Sequence, residues 1–279
     1  PRRPGGARRA DAQRAAALQR AVTVACEQLD AGALFACVAA VSALEDSPLF
    51  NGGCGSVLAR DGSVWCDAAV MAGDGRAGAV AAVTGVLNPI RAARAILDDD
   101  ETLLWAGHSD ALIARYGLQA ADPAQMVTAA ARARLDAHLA GRAQPQTGTV
   151  GAVCLDARGG LAAATSTGGK VGKHPSRVGD SPLVGAGTWA DARTCAISAT
   201  GAGEAFIRAV YAHEVHARML LAGESAADAC AAALETVRAA GGLGGAICVS
   251  RTGEIAMPCT DAHMARAWRV GTGPVRSAL

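Results

Sequence analysis

The sequence has few aromatic side chains and almost no lysine. Aromatic residues make up 3% of the 279 residues, although apolar residues make up 51%. A core of ordinary size must therefore be built from alanine, valine, leucine and closely packed glycine. Lysine occurs only at Lys170 and Lys173, so arginine carries nearly all of the positive charge. The formal net charge of +1 gives the chain no overall attraction to nucleic acid or to anionic membranes.

Long apolar runs and paired cysteine motifs are also missing. No stretch of 18 or more apolar residues is free of charge, which argues against a transmembrane helix. Residues 1–4 contain no apolar segment of the kind that a signal peptide needs. The nine cysteines form no C-x-x-C pair, and most of them lie in apolar segments, where a free thiol behaves as a small buried side chain. We therefore expect a cytoplasmic protein with reduced cysteines and no membrane partner.

Hydrophobic spacing predicts helices that alternate with hairpins. Helices are predicted over 12–29, 33–44, 90–97, 124–139, 204–221 and 226–239, and strands over 56–60, 64–70, 150–155, 161–165, 195–200, 246–250 and 254–257. The first two strands flank Asp61-Gly62, which is typical of a hairpin turn. This order favours a mixed or antiparallel sheet with helices packed outside it, that is, an α+β protein.

A threonine stands in mid-chain where a polar segment meets a predicted strand. Residues 143–147 have no apolar period, and Gly148 and Thr149 precede the apolar run 150–155. A threonine hydroxyl is a poor nucleophile unless a base lies within hydrogen-bond reach, and no His, Asp or Glu occurs in 140–155. Cleavage before Thr149 would free an α-amine that can act as this base. Alternatively, Thr149 is simply a β-branched residue at the start of a strand.

Four glycine-containing blocks follow one another from this point, namely GTVGAV at 148–153, AAATSTGG at 162–169, RVGDSPLVGAG at 177–187 and TGAGE at 200–204. With these blocks the sequence resembles the plant-type asparaginase and isoaspartyl peptidase family of N-terminal-nucleophile hydrolases. The resemblance runs from about Ala16 to about Gly271. It implies a four-layer αββα sandwich, with two sheets between two helical layers. It also implies a single catalytic domain, 1–279, that cuts itself into an α chain, 1–148, and a β chain, 149–279.

The resemblance implies a catalytic role for several residues of these blocks. Thr149 would be the nucleophile, and Gly148 would carry the carbonyl of the peptide bond that is cut. Thr167 would hydrogen-bond the nucleophile, although a turn rich in serine and threonine is the alternative at this position. The Thr200 side chain and the Gly201 N–H would form an oxyanion hole, which suits glycine-exposed backbone near a helix start.

Arg177 and Asp180 form an Arg-x-x-Asp pair in a loop bounded by prolines. A guanidinium group binds a carboxylate bidentately, and an aspartate can bind an ammonium group, so the pair could hold a free amino acid. The resemblance assigns Arg177 to the substrate α-carboxylate, Asp180 to its α-amine and Gly203 to the lining of the pocket. A surface ion pair of little energetic value is the alternative for Arg177 and Asp180.

The segment 44–54 resembles the family's stabilising loop, in which backbone carbonyls bind a structural sodium ion. The matching positions are Leu44, Glu45, Ser47, Phe50, Gly52 and Cys54. An irregular loop whose carbonyls need partners suits this role, although a tight loop without an ion is the alternative. Asn51 is expected to orient the Thr149 region, and the chemistry itself is expected to need no cofactor. His213 and His216 are spaced like a metal pair, but the sequence shows no third ligand nearby, so ordinary helix-surface or packing histidines are favoured.

The start of the chain departs from the family pattern. Family members begin with an apolar strand that leads into His-Gly-Gly-Ala-Gly. Here Gly5-Gly6-Ala7 would be the remnant, with Pro4 in place of the histidine and Arg8 in place of the last glycine. The expected first strand is therefore missing from this sequence, and its loss would leave unpaired backbone groups inside a sheet.

The resemblance implies an autocatalytically processed amidohydrolase that acts on L-asparagine and on β-aspartyl (isoaspartyl) dipeptides and releases L-aspartate. The implied partners are this small-molecule substrate and a second αβ unit in a homodimer. One alternative is an aspartylglucosaminidase-like amidase, which shares Arg-Val-Gly-Asp-Ser-Pro. The glycine run at 241–245 and the block at 200–204 favour the asparaginase branch. A truncated, non-catalytic remnant of the family is the other alternative.

Overall fold

Helices and strands alternate along the described chain, which comprises residues 5–99, 101–122, 126–142, 148–260 and 264–279 of a computed structural model. Helices α1 to α8 span Gly5–Glu27, Ala33–Glu45, Pro89–Asp99, Ser109–Tyr116, Ala129–Leu139, Gly203–Ala209, Tyr211–Ala217 and Ala226–Ala239. Strands β1 to β11 span Cys66–Ala72, Ala77–Val83, Leu104–Ala106, Val150–Leu155, Leu161–Thr167, Thr188–Ala190, Cys195–Gly201, Gly244–Ser250, Ile255–Ala256, Arg266–Trp268 and Arg276–Ala278. The protein is therefore a mixed α+β structure, as its sequence predicts.

The strand registers bring three polar residues into one row. A five-stranded sheet has the order β3-β2-β1-β5-β4, a four-stranded sheet has the order β6-β7-β8-β9, and β10 pairs with β11. The β1–β5 register sets Asp67 opposite Thr167, and the β4–β5 register sets Val150 opposite Ser166. One further step along the second register puts Thr149 opposite Thr167. Facing residues on neighbouring strands share a face of the sheet, so Asp67, Thr167 and Thr149 lie side by side at one end of it.

Helices contact each of the two larger sheets, and the two sheets contact each other. Helices α2 and α3 contact the five-stranded sheet, with α1 packed on α2, and helices α7 and α8 contact the four-stranded sheet. Strands β4 and β5 contact β7 across the space between the sheets. The buried core consists largely of alanine, valine and leucine, and Phe206 and Tyr211 are among its largest buried side chains. The sparse aromatic content is therefore compatible with an ordinary core, as expected. In the described residues, no helix combines the length and the apolar character needed to cross a membrane.

Most predicted elements are confirmed. Strand β4 and helix α8 have the predicted bounds, and α2, α3, β5, β7, β8 and β9 lie within a few residues of theirs. Helix α1 begins seven residues before its predicted start and ends two residues before its predicted end. Helix α5 confirms the later part of the helix predicted over 124–139, whereas residues 124–125 lie outside the described residues. The polar segment 143–147 also lies outside them.

The hairpin predicted around Asp61-Gly62 is wrong. Residues 56–60 do not join a sheet, and only a tight turn forms there, in which the Ala59 N–H bonds to Ser63 O at 2.9 Å. Strand β1 instead pairs with β2. The Arg60 N–H donates to Lys173 O, and the Gly172 N–H donates to Leu58 O. The backbone of 58–60 therefore has hydrogen-bond partners without pairing in a sheet.

The single helix predicted over 204–221 is also wrong. It is broken between α6 and α7 at Val210, which has φ 46°. The N–H groups of Ala212 and His213 bond to Ala186 O and Gly185 O instead of continuing the helical pattern. Contacts with this loop therefore override the helical spacing of the sequence.

The expected remnant of the family's His-Gly-Gly-Ala-Gly segment lies in a helix. The chain from Gly5 onward is part of α1, so Gly5, Gly6 and Ala7 do not form a loop after a strand. The described residues contain no strand ahead of β1, and β4 is an edge strand of its sheet.

Candidate active site

Two side-chain donors hold the carbonyl group that precedes Thr149. Gly148 O accepts a hydrogen bond from Asn51 Nδ2 at 2.6 Å and another from Thr167 Oγ1 at 2.9 Å. Two donors that converge on one carbonyl oxygen stabilise the negative charge that develops there when the carbonyl is attacked. The structure therefore brings Gly148 and Thr167 together, next to the residue that the sequence singles out as a nucleophile.

Asn51 is fixed in this position by the backbone around it. Its Nδ2 atom also donates to Gly169 O at 2.7 Å, and its Oδ1 atom accepts from Val57 N at 2.9 Å. Its backbone carbonyl accepts from Gly168 N at 3.3 Å. A side chain that is bonded on both sides needs little reorganisation to act as a donor. The sequence identifies Asn51 only as an orienting residue, whereas the structure places it in direct contact with the Gly148 carbonyl.

A cluster of buried hydroxyl groups joins the two sheets beside this site. Thr165 Oγ1 on β5 lies 2.8 Å from Ser198 Oγ on β7, and Thr188 Oγ1 donates to Thr165 Oγ1 at 2.6 Å. Ser198 precedes Thr200 by two residues in β7. Thr200 is half-buried, and Gly201 adopts φ 148°, which an L side chain rarely takes up. The oxyanion-hole roles of Thr200 and Gly201 stay predictions.

The Arg177 guanidinium is largely enclosed. Its side chain is 17% exposed, and Nη2 lies 2.9 Å from Glu204 Oε1. A Cβ atom at Gly203 would lie 3.0 Å from Arg177 Nη2 and 2.8 Å from Asp180 Oδ1. A larger residue than glycine would therefore crowd both side chains. Arg177, Asp180 and Gly203 form one group in the structure, and the ion pair that Arg177 makes there is with Glu204.

Asp180 is a buried carboxyl group with an unsatisfied oxygen. It is 4% exposed, and its Oδ2 atom has no hydrogen-bond partner within the described residues. Burial raises the pKa of Asp180 to about 7, although the charge of Arg177 opposes this change. A buried carboxylate is costly unless a cation or donors satisfy it. An ammonium group of a ligand would meet that need.

Glu204 is a functional candidate to which the sequence analysis gives no role. Besides Arg177 it contacts Lys170, whose Nζ lies 3.1 Å from Glu204 Oε1. Partial burial favours its neutral form, but its own backbone N–H, Lys170 and Arg177 together lower the pKa of Glu204 to about 2. Its signal in the sequence was a charged residue at the end of the TGAGE block, directly after Gly203. Glu204 therefore holds Arg177 as an ionised partner.

Backbone carbonyls converge in the loop over 44–54. A Cβ atom at Gly53 would lie 2.6 Å from Glu45 O, and one at Gly55 would lie 3.0 Å from Ser47 O and would overlap Phe50 O. Carbonyl oxygens around a glycine-lined space suit a hard cation. Three of the six expected ligand carbonyls, Leu44 O, Ser47 O and Gly52 O, also accept backbone hydrogen bonds within the loop. Among the described residues, no group of three or more His, Cys, Asp or Glu side chains could hold a metal ion.

His213 and His216 pack against an aromatic ring. Their ring centroids lie 5.0 Å and 5.2 Å from that of Trp189. His216 Nδ1 lies 2.6 Å from Thr194 Oγ1, and burial lowers the pKa of His216. His216 is thus a buried packing histidine and His213 lies exposed on the helix, in agreement with the prediction of helix-surface or packing histidines.

Comparisons with known proteins cover both sides of Thr149. The family model described as "Asparaginase" matches residues 5–276. The isoaspartyl peptidase of Escherichia coli (strain K12) is 41% identical over 272 residues, which cover 90% of this chain and 84% of that protein. The plant-type L-asparaginase of Pyrobaculum calidifontis is 42% identical over 266 residues, covering 90% and 87%. The isoaspartyl peptidase/L-asparaginase of Bos taurus is 40% identical over 258 residues, covering 88% and 83%.

Proposed function

The chain belongs to the asparaginase family, and from this membership we propose that it is a self-cleaving amidohydrolase that hydrolyses L-asparagine and β-aspartyl dipeptides. The observation that carries the proposal is the Gly148 carbonyl, which Asn51 and Thr167 hold immediately before Thr149. Relatives named isoaspartyl peptidase and L-asparaginase support the two substrate classes.

The first proposed reaction cuts the chain between Gly148 and Thr149. Thr149 Oγ attacks the Gly148 carbonyl carbon, and the negative charge that develops on Gly148 O is stabilised by Asn51 Nδ2 and Thr167 Oγ1. As the acyl group passes from the Thr149 nitrogen to its oxygen, the hydroxyl proton passes to the nitrogen, which becomes the α-amine. Water then hydrolyses the resulting ester. The products are the α chain, 1–148, and the β chain, 149–279, which starts with a free α-amine.

The second proposed reaction uses that α-amine as the base. It takes the proton of the Thr149 hydroxyl, which attacks the side-chain amide carbonyl of the substrate, and then passes the proton to the leaving amine. The Thr200 side chain and the Gly201 N–H are the proposed oxyanion donors. Water releases L-aspartate from the acyl-enzyme.

Arg177 and Asp180, which we call the substrate clamp, are the proposed binding residues. Arg177 binds the α-carboxylate through the N–H groups that Glu204 leaves free. Asp180 binds the α-ammonium group through its carboxylate, whose Oδ1 atom faces Gly203. Gly203 leaves room for both side chains and for the substrate beside them.

The remaining proposals concern architecture and surroundings. The packing order of helices, sheet, sheet and helices supports the four-layer αββα sandwich of N-terminal-nucleophile hydrolases. The backbone carbonyls of the loop would hold a structural sodium ion, which would supply no chemistry and would only stabilise the loop that carries Asn51. The proposed ligand positions are Leu44, Glu45, Ser47, Phe50, Gly52 and Cys54. A homodimer of αβ units and a cytoplasmic location stay predictions.

The test is activity that depends on cleavage. Purified protein is incubated, and samples are assayed for aspartate release from L-asparagine and from a β-aspartyl dipeptide while the cut fraction is measured. We expect activity to rise in proportion to the cut fraction and to be absent in Thr149→Ala. Activity on glycosylated asparagine alone would favour the aspartylglucosaminidase alternative, and cleavage without any activity would favour the non-catalytic remnant.

A further inference from the structure

A buried aspartate lies beside the substrate clamp, although neither proposed reaction uses it. Asp67 in β1 has 0% exposure and faces Thr167 across the β1–β5 register. Removing a carboxylate from water is costly unless its oxygens are hydrogen-bonded. A buried carboxyl group at this position therefore needs hydrogen-bond partners.

The two oxygens of Asp67 accept N–H groups from two separate segments. Oδ1 accepts from Ala82 N at 2.8 Å, and Oδ2 accepts from Gly179 N at 3.0 Å. Ala82 has φ 50°, and the β1–β2 register shifts between Cys66 and Ala68. Such a bulge turns a group out of the regular ladder. The Ala82 N–H in β2 therefore faces Asp67 Oδ1. The Oδ2 atom faces Gly179, between the two residues of the substrate clamp.

Gly179 stands between the two members of the clamp in sequence. Its N–H bond to Asp67 holds the backbone that carries Arg177 on one side and Asp180 on the other. A Cβ atom at Gly179 would lie 3.0 Å from Arg177 Nη1 and 3.7 Å from Asp67 Oδ2. Since an N–H bond to a carboxylate is stronger than one to a neutral acceptor, this contact restrains both clamp side chains at once.

Lys173 supplies positive charge near Asp67. It is 2% exposed, and its Nζ atom donates to Trp65 O at 2.7 Å, two residues before Asp67 in the chain. Burial lowers the pKa of Lys173, and the charge of Asp67 opposes this change. The negative charge of Asp67 therefore favours the ammonium form of Lys173.

We propose that Asp67 is a positioning residue for substrate binding. Through the Gly179 N–H it holds Arg177 and Asp180 at the spacing that the α-carboxylate and α-ammonium groups of one amino acid require, and Lys173 is its counter-charge. This inference rests on the proposed function of the clamp.

The test compares kinetics of Asp67→Asn with the parent, both as self-cleaved protein. The asparagine side chain has nearly the same shape, but its NH₂ group would face a backbone N–H, so one bond is lost. We expect the KM for L-asparagine to rise roughly ten- to a hundredfold, the scale of one hydrogen bond to a charged group. The kcat should change by less than about threefold, because Asp67 does not contact the reacting atoms. Self-cleavage should continue, since Gly148 is held by Asn51 and Thr167.

Asp156→Asn is the matched control. The Asp156 side chain is 6% exposed and also accepts backbone N–H bonds, from Ala33, Arg158 and Gly160, at the other end of the sheet. We expect this variant to lose stability without a change in KM. Equal rises in KM for the two variants would overturn the proposal, because they would show a general structural effect.

The variant Arg177→Ala distinguishes a failure of the substrate clamp from a failure of the positioning role of Asp67. If Arg177→Ala leaves KM unchanged, the proposed clamp itself fails. If it raises KM while Asp67→Asn leaves KM within about threefold of the parent, only the positioning role is overturned.

Hydrogen exchange of the Gly179 amide in the parent gives an answer even if Asp67→Asn does not fold. Slow exchange supports the bond to Asp67, and exchange at the rate of a free amide overturns it.

Discussion

The buried carboxyl group of Glu45 should make the protein less stable as pH rises. Glu45 has 0% exposure, its Oε1 atom accepts from Ile90 N at 3.0 Å, and its Oε2 atom has no partner within the described residues. Burial has the largest effect and raises the pKa of Glu45 from 4.5 to about 8, against weaker effects that include the Ile90 N–H bond. Between these two values the folded state holds a proton that the unfolded state has lost.

The size of the effect follows from this difference in bound protons. Stability falls with pH wherever the folded state binds more protons, by about 1.4 kcal/mol for each pH unit. From pH 5 to pH 8 the contribution of Glu45 to the free energy of unfolding therefore decreases by up to about 4 kcal/mol. This is a large part of the roughly 5–15 kcal/mol that stabilises a typical domain. Above about pH 8 the carboxyl group is ionised in both states, and its contribution no longer changes.

Denaturant unfolding of the parent and of Glu45→Gln between pH 5 and pH 8 measures this contribution. Glutamine keeps the shape and cannot ionise, so the variant should gain on the parent by about 1.4 kcal/mol for each pH unit. Asp98→Asn is the control, because the Asp98 side chain is 50% exposed in its pair with Arg94. A difference between Glu45→Gln and the parent that stays constant over this range would refute the reasoning.

Two further predictions concern the active site. Asn51→Ala should slow self-cleavage by roughly 10²–10³-fold, since it removes one of the two donors to Gly148 O, and a time course on denaturing gels measures this. Equal cleavage rates for variant and parent would contradict the role of Asn51. For L-asparagine, kcat/KM should rise by about tenfold per pH unit below about pH 7 and then level off, because Asp180 binds an ammonium group only when ionised and burial raises its pKa to about 7. A flat profile from pH 5 to pH 7 would count against Asp180.

Strong sequence patterns located the elements that bear the site. Strand β4 has the bounds expected from its apolar run, and α8 has those expected from its helical spacing. Strand β2 was missed because its alanines and glycine, Ala77–Val83, alternate in neither size nor polarity. The break at Val210 depends on bonds to residues 185–186, which are distant in sequence.

The candidate site was predicted where a motif carries it and missed where only the fold assembles it. Thr149, Thr167, Arg177 and Asp180 belong to glycine-rich blocks that can be found in the sequence. The roles of these four residues stay predictions, although the structure joins Thr167 to Gly148 and groups Arg177 with Asp180. Asp67 lies in an otherwise apolar strand, where a single carboxylate indicates a buried contact. Its partner Gly179 lies 112 residues away in the sequence. Such pairings arise from the sheet and cannot be deduced from local pattern.

The central claim is that Thr149 becomes the first residue of a separate chain. Intact-mass spectrometry of folded, purified protein, repeated over days of incubation, tests it most directly, with Thr149→Ala as the control. We expect two masses that correspond to residues 1–148 and 149–279, two pieces that stay associated under native conditions, and an uncut Thr149→Ala chain. Folded parent protein that stays uncut, or that is cut at any other bond, would contradict the account.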